Sequence, residues 1–530
     1  MYDLLIKNGL LIDGTGKKAY QGDIAVTGEK ITKIGNEILE EAKRVIDAEG
    51  KIVAPGFIDV HTHDDLVFDR DEMNLPKLRQ GVSTVITGNC GFGAAPVTEI
   101  CQKAMIDYNA PILGEQIKDF WFDEFSDYLD HMEKIPKSMN VACLLPHATV
   151  YMSVNGFCDK PLSEKELDRA VDYVREAMDA GAFGLSFGLM YAPGCYSEKK
   201  EIEALAKEVG AKGGIVTIHM KSESEHFKDS ISAAAELSKT CRVPVEISHL
   251  KNVGKEYWGN MQGTLSWLEQ LLEDGADLSF DMYPYTMGST TMAILFPTEY
   301  LREGVEILNK NLSDIKIRKE ISLRLKETWG EEDNLSLLCG WENVIISSVK
   351  SEKNNHILGK SIDQIATEQG KEPDEVMMDL FCEEEGEVSV LLNHIAQKDM
   401  EQTVMFQRVS VASDGLPGAK SPHPRLYGTF PKFLREFVRE KKLLTWEEAI
   451  YKITSQPAVR FGIEKRGALK EGYFADLVIF DREQITDRAD FEEPKNFPEG
   501  IEYVIVNGCT AWQRGGISEA GQGKLLRKNK

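Results

Sequence analysis

With 530 residues, 42% of them hydrophobic and 28% charged, the chain is long enough for two or three domains or for one large barrel with appendages. A formal charge of -24 and a pI near 5.0 exclude the basic footprint that nucleic acids or anionic membranes require, and no apolar run is long enough to cross a bilayer. The nine cysteines are scattered without a CxxC pair, which argues against a disulfide framework or a structural zinc ribbon.

Residues 1–51 alternate short apolar stretches with turn signals such as Asp13-Gly14 and Thr27-Gly28, the pattern of short antiparallel strands. The opening MYDLLIKNGLLIDGTGKK lacks the basic start and unbroken apolar core of a signal peptide, so a cytoplasmic location is expected. Short strands need a partner to bury against. Residues 467–530 offer one in GALKEGYFADLVIFD and IEYVIVNGCTAW, and a small β-sandwich domain built from both termini is expected.

From residue 52 to 466 the pattern becomes strand, loop, helix, repeated. Eight apolar strands are expected at 52–61, 82–89, 139–147, 182–188, 214–220, 243–250, 277–283 and 407–414. Amphipathic stretches such as SEKELDRAVDYVREAMDAG lie between most of them, their apolar residues recurring at three and four. Buried parallel strands alternating with helices predict an α/β protein of the (β/α)8 TIM-barrel type. Residues 285–406, between the seventh and eighth strands, are too long for a loop and rich in helix signals. They predict a helical insertion, at about 286–345, placed to cover the barrel mouth.

In such a barrel the reactive groups stand at the C-terminal strand ends. Strand 1 ends in His61 and His63, strand 2 in Cys90, strand 3 in His147, strand 5 in His219, strand 6 in His249 and strand 8 in Asp414. Taken alone, His61-Thr62-His63 is equally a hydrogen-bonded pair at a strand terminus, Cys90 a buried inert thiol, and Asp414 a turn or cap residue. Their convergence on one set of strand ends favours chemistry. A thiolate and imidazoles are the ligands zinc prefers, and three protein ligands with one open position form the catalytic arrangement, which Cys90, His219 and His249 supply. A carboxylate beside that site, Asp414, is suited to take a proton from water and pass it to a leaving group.

The stretches APGFIDVHTHDD, GNCGFGAAPV, YAPGCYS, IHMKSES, SHLKNVG, DMYPYT and ASDGLPGAKSPHPRLYGTF, closed by GALKEGYFADLVIFD, resemble the N-acyl-D-amino-acid deacylases (D-aminoacylases) of the metal-dependent amidohydrolase superfamily. The resemblance implies hydrolysis of an N-acyl-D-amino acid by a zinc ion held tightly on Cys90, His219 and His249. It also implies a weaker second site on His61 and His63 sharing Cys90, and Asp414 as the catalytic acid and base. It places Lys251, Arg425, Tyr283 and Ser289 around the substrate carboxylate, with Tyr191 nearby. Lys251 follows His249 by two residues and so shares its face on an extended strand. Arg425 stands in a proline- and glycine-rich stretch as a mobile carboxylate clamp.

The sequence departs from the family pattern at Tyr151, Lys221 and Gly93, which bears on side-chain preference more than on chemistry. A small-molecule substrate is the expected partner, and the oligomeric state is left open. Two alternatives stand beside this reading. A hydantoinase- or dihydroorotase-like cyclic-amide hydrolase is disfavoured because AFGLSFG, strand 4, lacks the lysine those enzymes carboxylate. A non-catalytic barrel scaffold is disfavoured because every expected ligand is present.

Overall fold

The computed structural model describes residues 1–68, 70–120, 122–517 and 521–528. The chain opens with β1 (Tyr2–Leu11), β2 (Tyr20–Thr27), β3 (Lys30–Gly35), β4 (Ala42–Asp47) and β5 (Ile52–Pro55). Seven strands of a second sheet follow: β6 (Phe57–Asp59), β7 (Val82–Thr87), β8 (Asn140–Pro146), β9 (Gly184–Gly188), β10 (Ile215–His219), β11 (Val245–Ile247) and β12 (Leu278–Met282). Then come β13 (Met287–Thr291), β14 (Val344–Val349) and β15 (Val388–Asn393), and next β16 (Val409–Val411). The chain closes with β17 (Leu477–Phe480), β18 (Ile501–Val506), β19 (Cys509–Gln513) and β20 (Gly516–Ile517).

The eight strands β6 to β12 and β16 form one parallel sheet in sequence order, the (β/α)8 barrel that the alternation of strands and helices predicts. Every residue of β7, β8 and β10 is buried, which is why these strands are mainly apolar and broken by small or uncharged polar residues rather than alternating strictly with charged ones. The helices between them carry ordinary sequence signals. The helix Glu164–Ala180, for example, starts on a capping box in which Ser163 and Glu166 satisfy each other's backbone and stops at Gly181 in the left-handed region. Between β6 and β16 the barrel is sewn shut by Asp414 N donating to His61 O (2.7 Å) and His63 N donating to Gly415 O (3.1 Å).

The first barrel strand is shorter than the apolar run 52–61 suggests. Residues 52–55 leave the barrel and pair with β1 and β17 in the terminal sheet, and only 57–59 pair with β7. Gly56 is the crossing point, where a Cβ would collide with the Ser83 side chain. A continuous apolar run cannot display a change of partner, because both sheets bury it. The terminal β domain is a single hydrogen-bonded sheet of nine strands, in which β5 joins the N-terminal strands to β17 through β20. Leu4, Ile6, Ile24, Val26, Leu477 and Ile505 from both ends of the chain share its core. Residues 523–528 do not remain with this sheet. Val141 N donates to Lys524 O and Lys528 N to Gly181 O, so the tail lies against the barrel beside β8.

The insertion expected at about 286–345 is longer and is not purely helical. Its strands β13 and β14 both pair with β15, so the unit extends to Asn393 and encloses its own core, with Met292, Phe296, Ile346, Phe381 and Val390 buried together. The closing strand VSVLLN sits some 40 residues beyond β14 in a stretch dominated by helix signals, which hid it. No helix among the described residues is long and apolar enough to cross a membrane.

Candidate metal centre

Cys90, His249 and Asp414 all follow the last residue of a barrel strand, and all have positive φ, at 54°, 37° and 47°. Such backbone costs of order 1–3 kcal/mol for a residue other than glycine, and it turns each side chain inward over the barrel mouth. The Cys90 turn is held from below. Ser186, on β9, donates to Gly88 O and accepts from Gly91 N at 3.0 Å, clamping the backbone on both sides of the thiol. A Cβ at Gly188 would strike the Cys90 carbonyl, so the floor beneath this turn has room only for glycine.

The donor atoms converge. In the sets Cys90–His219–His249, His61–His63–Cys90 and His61–His249–Asp414, the ligand atoms lie within 4.8 Å of one another, and all of these residues are buried. Cys90 Sγ stands 3.2 Å from His61 Nε2 and 3.8 Å from His249 Nε2. Asp414 Oδ1 is 3.4 Å from His61 Nε2 and 3.3 Å from His63 Nε2, and its Oδ2 is 3.0 Å from the Arg425 guanidinium. His219 is the informative member: both its ring nitrogens are buried without a hydrogen-bond partner among the described residues. An unpaired buried imidazole costs free energy unless a ligand completes it, and a metal ion among thiol and imidazole donors does so. The residues therefore fit the metal that the sequence led us to expect.

Protonation follows the same geometry. Burial, reinforced by His249, pushes His219 well below its ordinary range, and burial with Lys251 nearby does the same to His249, so both are the neutral imidazoles a metal binds. His61 differs. Burial opposes its charge, but Asp281, Cys90 and Asp414 overcome it and hold the ring well above its usual value. Burial would raise Asp414, yet Arg425 and His61 bring it well below the usual carboxylate range. Burial raises the Cys90 thiol against the opposing pull of His61.

Around this cluster stand groups that the sequence did not reveal. Asp281, on β12, faces His61 Nδ1 with both oxygens at 3.1–3.2 Å and accepts from the His249 backbone N at 2.9 Å, fixing the His61 ring and the turn that carries His249. Glu223 accepts from Lys251 Nζ at 2.5 Å and lies 3.0 Å from His249 Nδ1. His394, just past β15, brings a second buried ring with no partner among the described residues to the same cavity. An acid inside the apolar run LSFDM was the one visible sign of Asp281. Ser186 and His394 gave none, since their roles depend on what folds against them.

Tyr191, Lys251, Tyr283 and Ser289 line the cavity, and Arg425 stands behind it against Asp414 and Tyr283, with two differences of detail from expectation. Tyr191 packs on the His219 ring at 4.7 Å, and its hydroxyl is 3.0 Å from Thr290 Oγ1. Tyr283 is buried against the Arg425 guanidinium, 4.5 Å from ring centre to carbon, and the Ser289 hydroxyl is buried without a partner. Lys251 shares no extended strand with His249, because β11 ends at Ile247 and His249 turns left-handed. Its ammonium still reaches 2.8 Å from His249 Nδ1, drawn there by Glu223. Arg425 is not in a mobile loop. It begins the helix Arg425–Phe433, is fully buried, and keeps Nε and one terminal nitrogen unpaired. His147 packs on Phe187 at 4.7 Å, outside these three clusters, with burial lowering it to about 3.

A (β/α)8 barrel with thiol, imidazole and carboxylate donors collected at its mouth defines a metal-site barrel protein. A family model described as the amidohydrolase family matches residues 44–317 and 404–511, and the chain belongs to that family. It is 33% identical to the D-aminoacylase of Alcaligenes xylosoxydans xylosoxydans over 99% of this chain and 98% of that protein. It is 31% identical to the N-acyl-D-glutamate deacylase of the same organism, over 99% and 97% of the two chains. A solved N-acyl-D-glutamate deacylase from Bordetella bronchiseptica, complexed with zinc and a phosphonate mimic of the tetrahedral intermediate, matches with a TM-score of 0.85 and 28% identity over 99% of each chain.

Proposed function

We propose that this protein is a zinc-dependent N-acyl-D-amino-acid deacylase, hydrolysing the amide to a carboxylate and a free D-amino acid. The observation that carries the reading is the buried, unpaired His219 within reach of Cys90 and His249, beside an ionised Asp414. Cys90, His219 and His249 would hold one ion tightly, and His61 and His63, sharing Cys90, a second more weakly. Bound zinc supplies Lewis acidity toward the amide carbonyl and acidifies water.

The chain's own groups do the rest. Asp414, ionised and held by Arg425, takes a proton from the attacking water and returns it to the nitrogen as the C–N bond breaks, so that the amine leaves neutral. Arg425, with two unpaired buried nitrogens, Ser289 with a free hydroxyl, Tyr283 and Lys251 bind and orient the substrate carboxylate. Tyr191, against His219, walls the site. The names of the relatives support the D-amino-acid substrate. A cyclic-amide hydrolase that bridges two metals with a strand-4 lysine is disfavoured, because that strand is GLSFG and spends Ser186 on the Cys90 turn. Cys90, Cys101, Cys143, Cys241 and Cys339 are buried free thiols, which supports a reducing compartment, and we assign the protein to the cytoplasm.

The test is direct: metal-analysed protein is given paired D and L N-acetyl amino acids and free amine is measured. Release from the D members alone is expected, and release from neither, with zinc bound, removes the reading. Cys90→Ala should lose zinc, and a fully loaded variant would remove the ligand set.

A further inference from the structure

Beside the metal cavity lies a narrow chamber of about 50 Å³, and Met190, Tyr191 and Ile294 line both. Its far walls are apolar: Phe157, Ala192, Phe296, Leu301 and Trp329 come from the barrel loops and from the insertion. Its charged groups are few and already committed. Lys221, the one cation among its described lining residues, donates to Glu331 at 2.7 Å. Asp333 accepts from the hydroxyls of Ser222 and Ser224 and from Glu223 N. Glu332 accepts from Thr298 at 2.6 Å, and Asp107 from Lys103 at 3.0 Å. Three acids and one paired lysine leave an anion no free cation there, although the Tyr108 hydroxyl is a neutral donor with no partner among the described residues.

Resting on the deacylase reading above, we propose that this chamber receives the side chain of the D-amino acid and selects large apolar side chains over acidic ones. Position assigns it to the side chain rather than the acyl group. Its lining residues Thr291, Ala293 and Ile294 follow Ser289, of the carboxylate cradle, by two to five residues, so the chamber opens beside the carbon that bears the carboxylate. The acyl group hangs from the carbonyl carbon on the side of the metal donors. Burying apolar atoms there is favourable, whereas a carboxylate would be desolvated among acids without a compensating cation.

The experiment uses the zinc-loaded full chain and N-acetyl derivatives of D-alanine, D-leucine, D-phenylalanine and D-glutamate. D-Leucine should exceed both D-alanine and D-glutamate in kcat/KM by about tenfold or more. Ala293→Phe should abolish the leucine advantage while sparing D-alanine, and Ile294→Lys should raise D-glutamate relative to D-leucine. Turnover of D-glutamate equal to or above D-leucine overturns the proposal and leaves the deacylase reading standing. So does a chamber that answers to acyl length, with N-hexanoyl-D-alanine gaining over N-acetyl-D-alanine and Ala293→Phe erasing that gain. If no derivative is hydrolysed, the deacylase reading falls. The chamber is then judged by calorimetry: tighter binding of N-acetyl-D-leucine than of N-acetyl-D-glutamate, lost in Ala293→Phe, upholds it, and any other ranking overturns it.

Discussion

Two buried polar clusters adjoin each other where β16 meets β6 and at the barrel mouth, and they are built in opposite ways. At the seam where β16 meets β6, the fully buried Lys77 donates to Asp59 at 2.6 Å and to Ser413 at 2.5 Å, while Ser413 donates to Asp59 through both hydroxyl and backbone. Lys77, Asp59 and Ser413 satisfy one another there, although the adjacent Asp64 carboxylate, 3.5 Å from the ammonium, has no hydrogen-bond partner among the described residues. At the mouth just above, His219, Ser289, Arg425 and His394 keep buried nitrogens or oxygens with no partner among the described residues, and Cys90, His249 and Asp414 hold positive φ. Paired buried groups hold a fold, whereas unpaired ones cost free energy until something else completes them.

That contrast can be broken at either end. Asp414→Asn should keep zinc and fold, since asparagine tolerates a φ of 47°, while kcat falls by about 10³-fold; near-normal turnover in a metal-analysed sample would take Asp414 out of the mechanism. At the seam, Lys77→Met should cost about 3–5 kcal/mol in chemical denaturation of the metal-free protein, because Asp59 and the neighbouring Asp64, 3.5 Å from the ammonium, are left buried without a counter-charge. Loss of zinc without loss of stability would place Lys77 in the site rather than the scaffold.

Ser186→Ala joins the two halves of the comparison. It leaves Gly91 N and Gly88 O unpaired under the thiol, so zinc affinity should weaken about 10–100-fold by competition with a chelator; unchanged affinity would show that the Cys90 turn holds itself. The smallest effect is expected at Glu246 on β11, which burial raises to about 8 against an ordinary 4.5. A raised acid carries no penalty below pH 4.5, where it is neutral folded and unfolded. Between 4.5 and 8 the unfolded state ionises first, and wild-type stability declines. Glu246→Gln should therefore gain on wild type across that window, read as a difference in thermal midpoint that grows with pH. A difference independent of pH would mean that Glu246 titrates normally.

Much of this could be read from the chain alone. Eight largely apolar runs separated by amphipathic helices mark the barrel, since strands buried on both faces are predominantly apolar. Cys90, His219, His249, His61, His63 and Asp414 were legible because a barrel delivers strand-end residues to one face, and because few residue types bind metal. The resemblance of their flanking motifs named the substrate class. Tertiary structure alone decided the rest. Gly56 divides one apolar run between two sheets, and β15 closes an inserted sheet from far along the chain. Asp281, Glu223, Ser186 and His394 acquire meaning only from partners remote in sequence, such as the 220 residues between His61 and Asp281. The chamber's preference likewise depends on Lys221 being spent on Glu331, 110 residues away. Residue type fixes what a side chain can bind; whether that capacity is already used is decided by what folds against it.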